Sequence, residues 1–181
     1  MSRAPVLRSL LDAFTPADAV EAAHKIAMLH LLRSPDPFAR DHFVPGHFTA
    51  SAFVLSPDGE QLLLIFHEKF RRWLQPGGHI EPDDADLPAA AIREVAEETG
   101  VTDLSVVGGI FDVDVHDIAA RKGEPAHQHF DVRVLLRSHR DGLAAATDAL
   151  DARWFALPEI HLVETDESVM RAVRKLANRG V

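Results

Sequence analysis

Cysteine is missing from this 181-residue chain. That excludes disulfides, a thiolate nucleophile and any zinc–thiolate centre. Long apolar runs are missing as well. The longest strongly apolar stretch is residues 62–66, far short of the ~18 residues that mark a membrane span. The first residues lack the charged segment, apolar core and small-residue cleavage site of a secretory signal. These absences lead us to expect a cytoplasmic protein with no membrane partner. Clustered cations are scarce too. The formal net charge is −9 and no basic run exceeds two residues, whereas long nucleic acids are bound through many Lys and Arg that displace counterions. No long nucleic acid is therefore expected as a partner. A small phosphorylated substrate stays open, because a metal ion and a few local cations can outweigh net charge.

The remaining composition, 46% hydrophobic and 26% charged, is that of an ordinary globular domain with enough chain for one full core. Most of the eleven histidines read as surface or core residues. Residues 1–45 read as a helical preface. Val6, Leu7, Leu10, Leu11 and Phe14 form one apolar stripe. Thr15-Pro16 opens a second helix with Asp18 at the capping-box position. Its expected buried face is Val20, Ala23, His24, Ala27, Met28 and Leu31, and Ser34-Pro35-Asp36-Pro37 stops it. Such a preface packs on its own domain by default; a homodimer contact or one wall of a substrate cleft are its other uses.

From residue 47 the pattern turns to strands: 48–55 and 61–66 around a Ser56-Pro57-Asp58-Gly59 turn, then 104–115, 130–136 and 153–156. Residues 119–128 are polar and too long for a tight hairpin. A last helix is marked by Asp166 as cap, Val169, Ala172, Val173 and Leu176 as its buried face, and Gly180 as its end. Strands with helices at intervals imply a mixed sheet covered on both faces.

The chemistry concentrates in residues 77–101. A glycine pair leads into a helix that ends at Gly100, and on that helix Glu94, Glu97 and Glu98 stand at i, i+3 and i+4, on one face. Like charges so placed repel by roughly 0.2–0.5 kcal/mol per pair. A hard cation such as Mg²⁺ converts the repulsion into coordination. Ile92, Val95, Ala96 and Thr99 form the opposite, apolar side. Alone, Glu97 and Glu98 read as a solvated face. Arg93 directly before Glu94, Gly100 as a left-handed stop and Pro76-Gly77-Gly78 at the other end change that reading.

The run resembles the signature of the Nudix hydrolases, G-x5-E-x7-R-E-U-x-E-E-x-G-U, with U a bulky aliphatic residue. Arg93, Glu94, Val95, Glu97, Glu98, Gly100 and Val101 match its second half at every position. The first half carries one inserted residue. Counting from Gly78 places the first acidic position on Asp84, and counting back from Arg93 places it on Ala85.

The resemblance implies an α/β/α sandwich with a central mixed sheet over residues 46–181, preceded by the helical extension 1–45. It implies metal-dependent hydrolysis of a diphosphate bond in a nucleoside diphosphate linked to another moiety, with Mg²⁺ or Mn²⁺ as cofactor. Glu94, Glu97 and Glu98 become the metal ligands, with the Gly78 carbonyl as a further one. Arg93 orients a glutamate, and Glu94 ranks first as general base, ahead of an acidic residue or histidine on a later loop. Two subfamily marks are absent. There is no tyrosine, as a dinucleoside polyphosphate enzyme would place downstream, and His116-Asp117-Ile118 stands where an ADP-ribose enzyme would place proline.

Substrate contact is expected from residues 121–129. Arg121 and Lys122 bring two cations, and His127 and His129 share a side if extended, able to bind phosphate, ligate a further metal or transfer protons. Arg71 and Arg72 make a weaker case, and Trp73 and Trp154 read as core. Two other functions share the fold. An isopentenyl diphosphate isomerase needs a cysteine that is absent. A non-catalytic nucleotide-binding or regulatory module commonly loses carboxylates that are all kept here.

Overall fold

The structure is a computed structural model that describes residues 3–68, 70–140, 142–143 and 151–178. Helix α1 (Arg3–Ala13) buries Leu7 and Leu11, one turn apart. Helix α2 (Ala19–Leu31) starts later than the Thr15-Pro16 pair suggests, because Asp18 is itself the N-cap, its side chain accepting the Glu21 amide at 2.8 Å. Its buried face differs from the expected one as well. Glu21, Met28 and Leu31 point inward while Val20 is 53% exposed. Glu21 is held inside by Lys175 at 2.5 Å, which turns the helix away from the phase that hydrophobicity alone suggests.

The sheet comprises β1 (Gly46–Leu55), β2 (Gln61–His67), β3 (Arg72–Leu74), β4 (Gly77–His79), β5 (Leu104–Ile118), β6 (His127–Ser138) and β7 (Ala152–Ala156). Its main path runs β3-β2-β1-β6-β5, with β4 on β1 and β7 on β2. β1 and β6 are parallel and the other pairs antiparallel, so the sheet is mixed, as expected. β1 and β2 pair only at Val54↔Leu63 and Leu55↔Leu62 beside their turn, and β4 takes over the same edge of β1 at residues 49–51. The sheet forks at this point, and the fork opens the cavity described below.

Alternation along β1 and β6 divides the two sides. Phe48, Ala50, Ala52, Val54, Phe130, Val132, Val134 and Leu136 meet α3 (Leu87–Thr99) and both N-terminal helices in one core. On the other side, Phe53, Leu55 and Leu135 meet a 3-10 helix (Leu157–Leu162) and α4 (Glu167–Asn178) through Ile160, Val169, Ala172 and Leu176. The result is an α/β/α sandwich. Gly180, expected to end α4, lies outside the described residues. The segment read as too long for a hairpin does join paired strands. β5 and β6 extend to Ile118↔His127, leaving residues 119–126 as the connection.

Candidate active site

Local chemistry explains why α3 forms where it does. Asp86 caps it by accepting from the Ala89 amide, proline sits in the first turn, and Gly100 ends it at φ 72°, a conformation that costs glycine little. Leu87, Ala90, Ala91, Val95 and Thr99 are buried, which leaves Glu94 and Glu98 half-buried and Glu97 exposed. The inserted residue is absorbed before the helix. There Arg3 donates to the carbonyl oxygens of Glu81, Pro82 and Asp84 at 2.5–2.8 Å.

Arg93 organises the acidic face. Its Nε and Nη2 each donate to Asp84 at 3.1 Å, a bidentate pair. Nη1 donates to Glu94 at 2.9 Å and Glu97 at 3.0 Å, and Nη2 to the His79 carbonyl at 2.8 Å. Asp84 is thus the acidic partner of Arg93 despite the insertion. Burial raises its proton affinity, but Arg93 and the Glu81 amide outweigh this and hold its carboxyl below the usual range. Glu94 shifts the other way: burial pushes it up and Arg93 offsets this only in part.

The helix meets the glycine turn closely. Glu98 accepts from the Gly77 amide at 2.9 Å, and a Cβ built on Gly78 would lie 2.7 Å from the Glu94 carboxylate. A Cβ on Gly77 would lie 2.2 Å from that of Ser51. Three carboxylates, a bare backbone segment between them and one carboxylate left with an excess burial cost form a donor set that fits a hard divalent cation. In this conformation Glu94 and Glu97 are turned to Arg93 and Glu98 to Gly77.

Gly77 and Gly78 are also the wall of a cavity of about 440 Å³, within the range of small-molecule sites. It occupies the fork of the sheet, with Thr49 and Ser51 of β1, Arg72, Leu74 and Gln75 about β3, and Asp131 and Arg133 of β6 among its lining. Of the residues expected to contact substrate, Arg72, Arg121 and His129 line it, and Lys122 and His127 do not. Arg72 Nε and Gln75 Oε1 are buried without a hydrogen-bond partner, so both have unspent capacity at the cavity. Arg121 forms an ion pair with Glu124 at 2.5 Å. Trp73 packs edge-on to Phe66 and Phe155 at 5.4 and 4.8 Å, in the α4 core as expected of it.

The floor of the cavity holds residues that the sequence reading did not single out. Arg133, 2% exposed, reaches Asp131 at 2.8 Å, Asp114 at 3.3 Å and Asp112 at 3.4 Å. Thr49 and Ser51 donate to the same Asp131. Behind them Arg171 and Lys175 of α4 bind Asp112, and Lys175 continues to Glu21 of α2. Burial raises the proton affinity of Asp112 and Asp114, yet Arg171, Arg133 and Lys175 hold Asp112, and His116, Arg133 and Arg171 hold Asp114, below the usual range. Register across β5 and β6 also gathers histidines. His47 faces His129 on β1–β6, and His116 faces His129 on β5–β6. His79 joins them, its ring 5.1 Å from that of His47. Burial is the main cause of the lowered affinity for protons at His79, pushed down to about 4, and at His129, pushed down to about 2. A sequence signal existed: each residue occupies the cavity-side parity of its strand.

A mixed sheet between helices, with a glycine turn abutting a carboxylate helix at a cavity wall, defines the class of Nudix hydrolases. The NUDIX domain family model matches residues 45–176, and the chain belongs to that family of pyrophosphohydrolases. No curated protein matches the chain. Among solved structures, a NUDIX-family hydrolase from Clostridium perfringens superposes with TM-score 0.56 at 20% identity, covering 74% of this chain and 97% of that one. An Ap4A hydrolase from C. elegans gives 0.53 at 19%, covering 74% and 98%. The NUDIX domain of Shewanella oneidensis NrtR, complexed with ADP ribose, gives 0.54 at 17%, covering 74% and 88%. Likeness at this identity concerns the fold. Among the described residues no helix is long and apolar enough to cross a membrane.

Proposed function

We propose that the chain hydrolyses the diphosphate bond of a small nucleoside diphosphate linked to another moiety, in a reaction that requires Mg²⁺ or Mn²⁺. The observation that supports this reading is the contact of Glu94 and Glu98 with Gly78 and Gly77, two residues of the cavity lining, although the three glutamates do not themselves line the cavity. Glu94, Glu97 and Glu98 hold the cation, with the Gly78 carbonyl as a further donor. When bound, the ion supplies charge neutralisation of the diphosphate and activation of a water.

The chain's own residues do the rest. Arg93 fixes the directions of Glu94 and Glu97 while Asp84 fixes Arg93. Arg72, with Nε buried and unspent, receives a phosphate oxygen. Arg121, which lines the cavity, and Lys122 next to it in sequence add positive potential, and His129 lines the cavity as well. Glu94 accepts the water's proton: it is half-buried beside the cavity wall, with proton affinity above that of an ordinary carboxylate.

The test is phosphate or nucleotide release from a panel of diphosphate compounds, with and without Mg²⁺. Turnover should need the ion and fall by about 100-fold or more in Glu98→Gln, the order seen when one preorganised catalytic contact is removed, with the melting temperature unchanged. Turnover within a few-fold of wild type in that variant would reject the assignment. Tight nucleotide binding with no turnover on any compound would instead support a non-catalytic module.

A further inference from the structure

A second group of ligating side chains lies off α3. His47 of β1 and His127 and His129 of β6 pack ring on ring, with centroids 5.1 Å apart for His47–His127, 4.9 Å for His47–His129 and 5.2 Å for His127–His129. One ring nitrogen from each lies within 4.8 Å of the others. Among the described residues this is the one trio of metal-ligating groups so closely gathered. The strands place it: the parallel register sets His47 opposite His129, and His127 is two residues back on the same face.

The tautomers are set in two of the three. Nδ1 of His47 lies 3.3 Å from the His42 carbonyl oxygen, and Nδ1 of His127 lies 2.8 Å from that of Pro125. A carbonyl oxygen only accepts, so Nδ1 carries the proton and Nε2 keeps its lone pair bare. This is how metal-bound imidazoles are oriented elsewhere, through a hydrogen bond on the other ring nitrogen. The bare Nε2 of His47 is buried and has no hydrogen-bond partner, in a residue only 1% exposed. A buried acceptor left unmatched is uncommon and asks for an explanation. A ligated cation supplies one.

We propose that His47, His127 and His129 bind one late first-row divalent cation of the Zn²⁺ class through three imidazole nitrogens, at the end of the cavity. Three neutral imidazoles favour Zn²⁺, Co²⁺ or Ni²⁺ over Mg²⁺, which prefers the carboxylates of α3. Three protein ligands also leave a coordination position open. His129 lines the cavity, so the group adjoins whatever the cavity holds. The inference does not rest on the hydrolytic reading: the histidines are on β1 and β6, and the cation would bind whether or not α3 is catalytic.

The experiment uses tag-free protein stripped with chelator and then kept in excess Mg²⁺. Co²⁺ is added and its visible d–d bands are followed, with Zn²⁺ calorimetry alongside. One Co²⁺ per chain is expected, displaced by one Zn²⁺. His127→Ala should weaken binding by at least about 100-fold, since even partners that only orient a ligand are worth roughly 10–100-fold. The Glu97→Gln/Glu98→Gln double variant should bind as the wild type does. If His127→Ala melts early without metal, His129→Gln at a half-buried position decides, with the same loss expected. Absence of stoichiometric binding, binding that survives His127→Ala and His129→Gln, or binding lost in the glutamate variant would each overturn the proposal.

Discussion

Replacing Lys175 by methionine removes the cation between α2, β5 and α4. Lys175 Nζ contacts Glu21 at 2.5 Å, Asp112 at 3.2 Å and the Phe111 carbonyl at 2.5 Å. Asp112 keeps Arg133 and Arg171. Glu21 keeps the Ala17 amide and the neighbouring Asp112 carboxylate, which favours its protonation, and its side chain has no exposure to solvent. A bare carboxylate there would be costly, so Glu21 should take up a proton, the direction in which burial already pushes it. At pH 7, protonating a group whose unfolded pKa is near 4.3 costs about 3.7 kcal/mol, at 1.36 kcal/mol per pH unit. That agrees with the ~3–5 kcal/mol expected on breaking a buried pair. For a domain of this size each kcal/mol lowers the melting temperature by roughly 2–4 °C, so Lys175→Met should melt ~7–15 °C lower.

Two controls follow from the same physics. The loss should shrink as the pH is lowered toward 4.3, where the unfolded chain is protonated too. Glu21→Gln/Lys175→Met should recover most of it, because a neutral pair carries no uncompensated charge. Thermal melts of the three proteins at pH 7 and pH 5 measure all of this. A loss under about 1 kcal/mol, where exposed ion pairs fall, or one that does not vary with pH would refute the reasoning. In either case α2 would be held by its apolar contacts alone.

The two adjacent glycines should separate fold from activity. In Gly77→Ala the new Cβ meets Ser51 and the β1 backbone, at 2.2–2.8 Å, and overpacking of this kind costs about 1–3 kcal/mol, visible in a thermal melt. In Gly78→Ala the nearest atoms it meets are the carboxylate end of the Glu94 side chain, at 2.7 Å, rather than backbone, so the melt should change little while turnover falls at least tenfold. The reverse pattern would contradict the placement of Glu94. Acid should weaken the cavity floor. Asp114 is held below the usual carboxylate range, burial being outweighed by His116, Arg133 and Arg171. Its contribution is therefore present above a pH of about 3.9 and lost as the pH falls below that, by up to ~1.4 kcal/mol per pH unit. Urea titrations between pH 5 and 2.5 should show a shallower decline in Asp114→Asn than in wild type; equal slopes would contradict the claim.

The readable parts of the chain were those with punctuation. Asp86, the proline after it and Gly100 bracket α3, and the 3.6-residue period then sets where Glu94, Glu97 and Glu98 point. The mixed sheet and its two covering layers were legible from strands with helices at intervals along the chain. Alternation gave no sign of the charged layer on β5, where Asp112 and Asp114 stand between apolar residues. They are buried because Arg133 crosses from β6 and Arg171 and Lys175 come from α4, 57 or more residues away. Buried charge pairs hide from hydropathy, and the same cause mis-set the inner face of α2 at Glu21. The histidine group was dispersed over four strands, and only the registers of β4 on β1, of β1 on β6 and of β6 on β5 bring it together. The role of Asp84 depended on a side-chain hydrogen bond that counting along an interrupted motif could not supply.

The most direct measurement is calorimetric titration of Mg²⁺ into the protein with a non-hydrolysable diphosphate analogue present. We predict saturable ion uptake by the wild type, weakened at least tenfold in Glu97→Gln/Glu98→Gln, in a protein whose melting temperature is unaltered. Absence of uptake of either Mg²⁺ or Mn²⁺ by the wild type, or equal uptake by the double variant, would contradict the claim that the α3 carboxylates hold the catalytic cation.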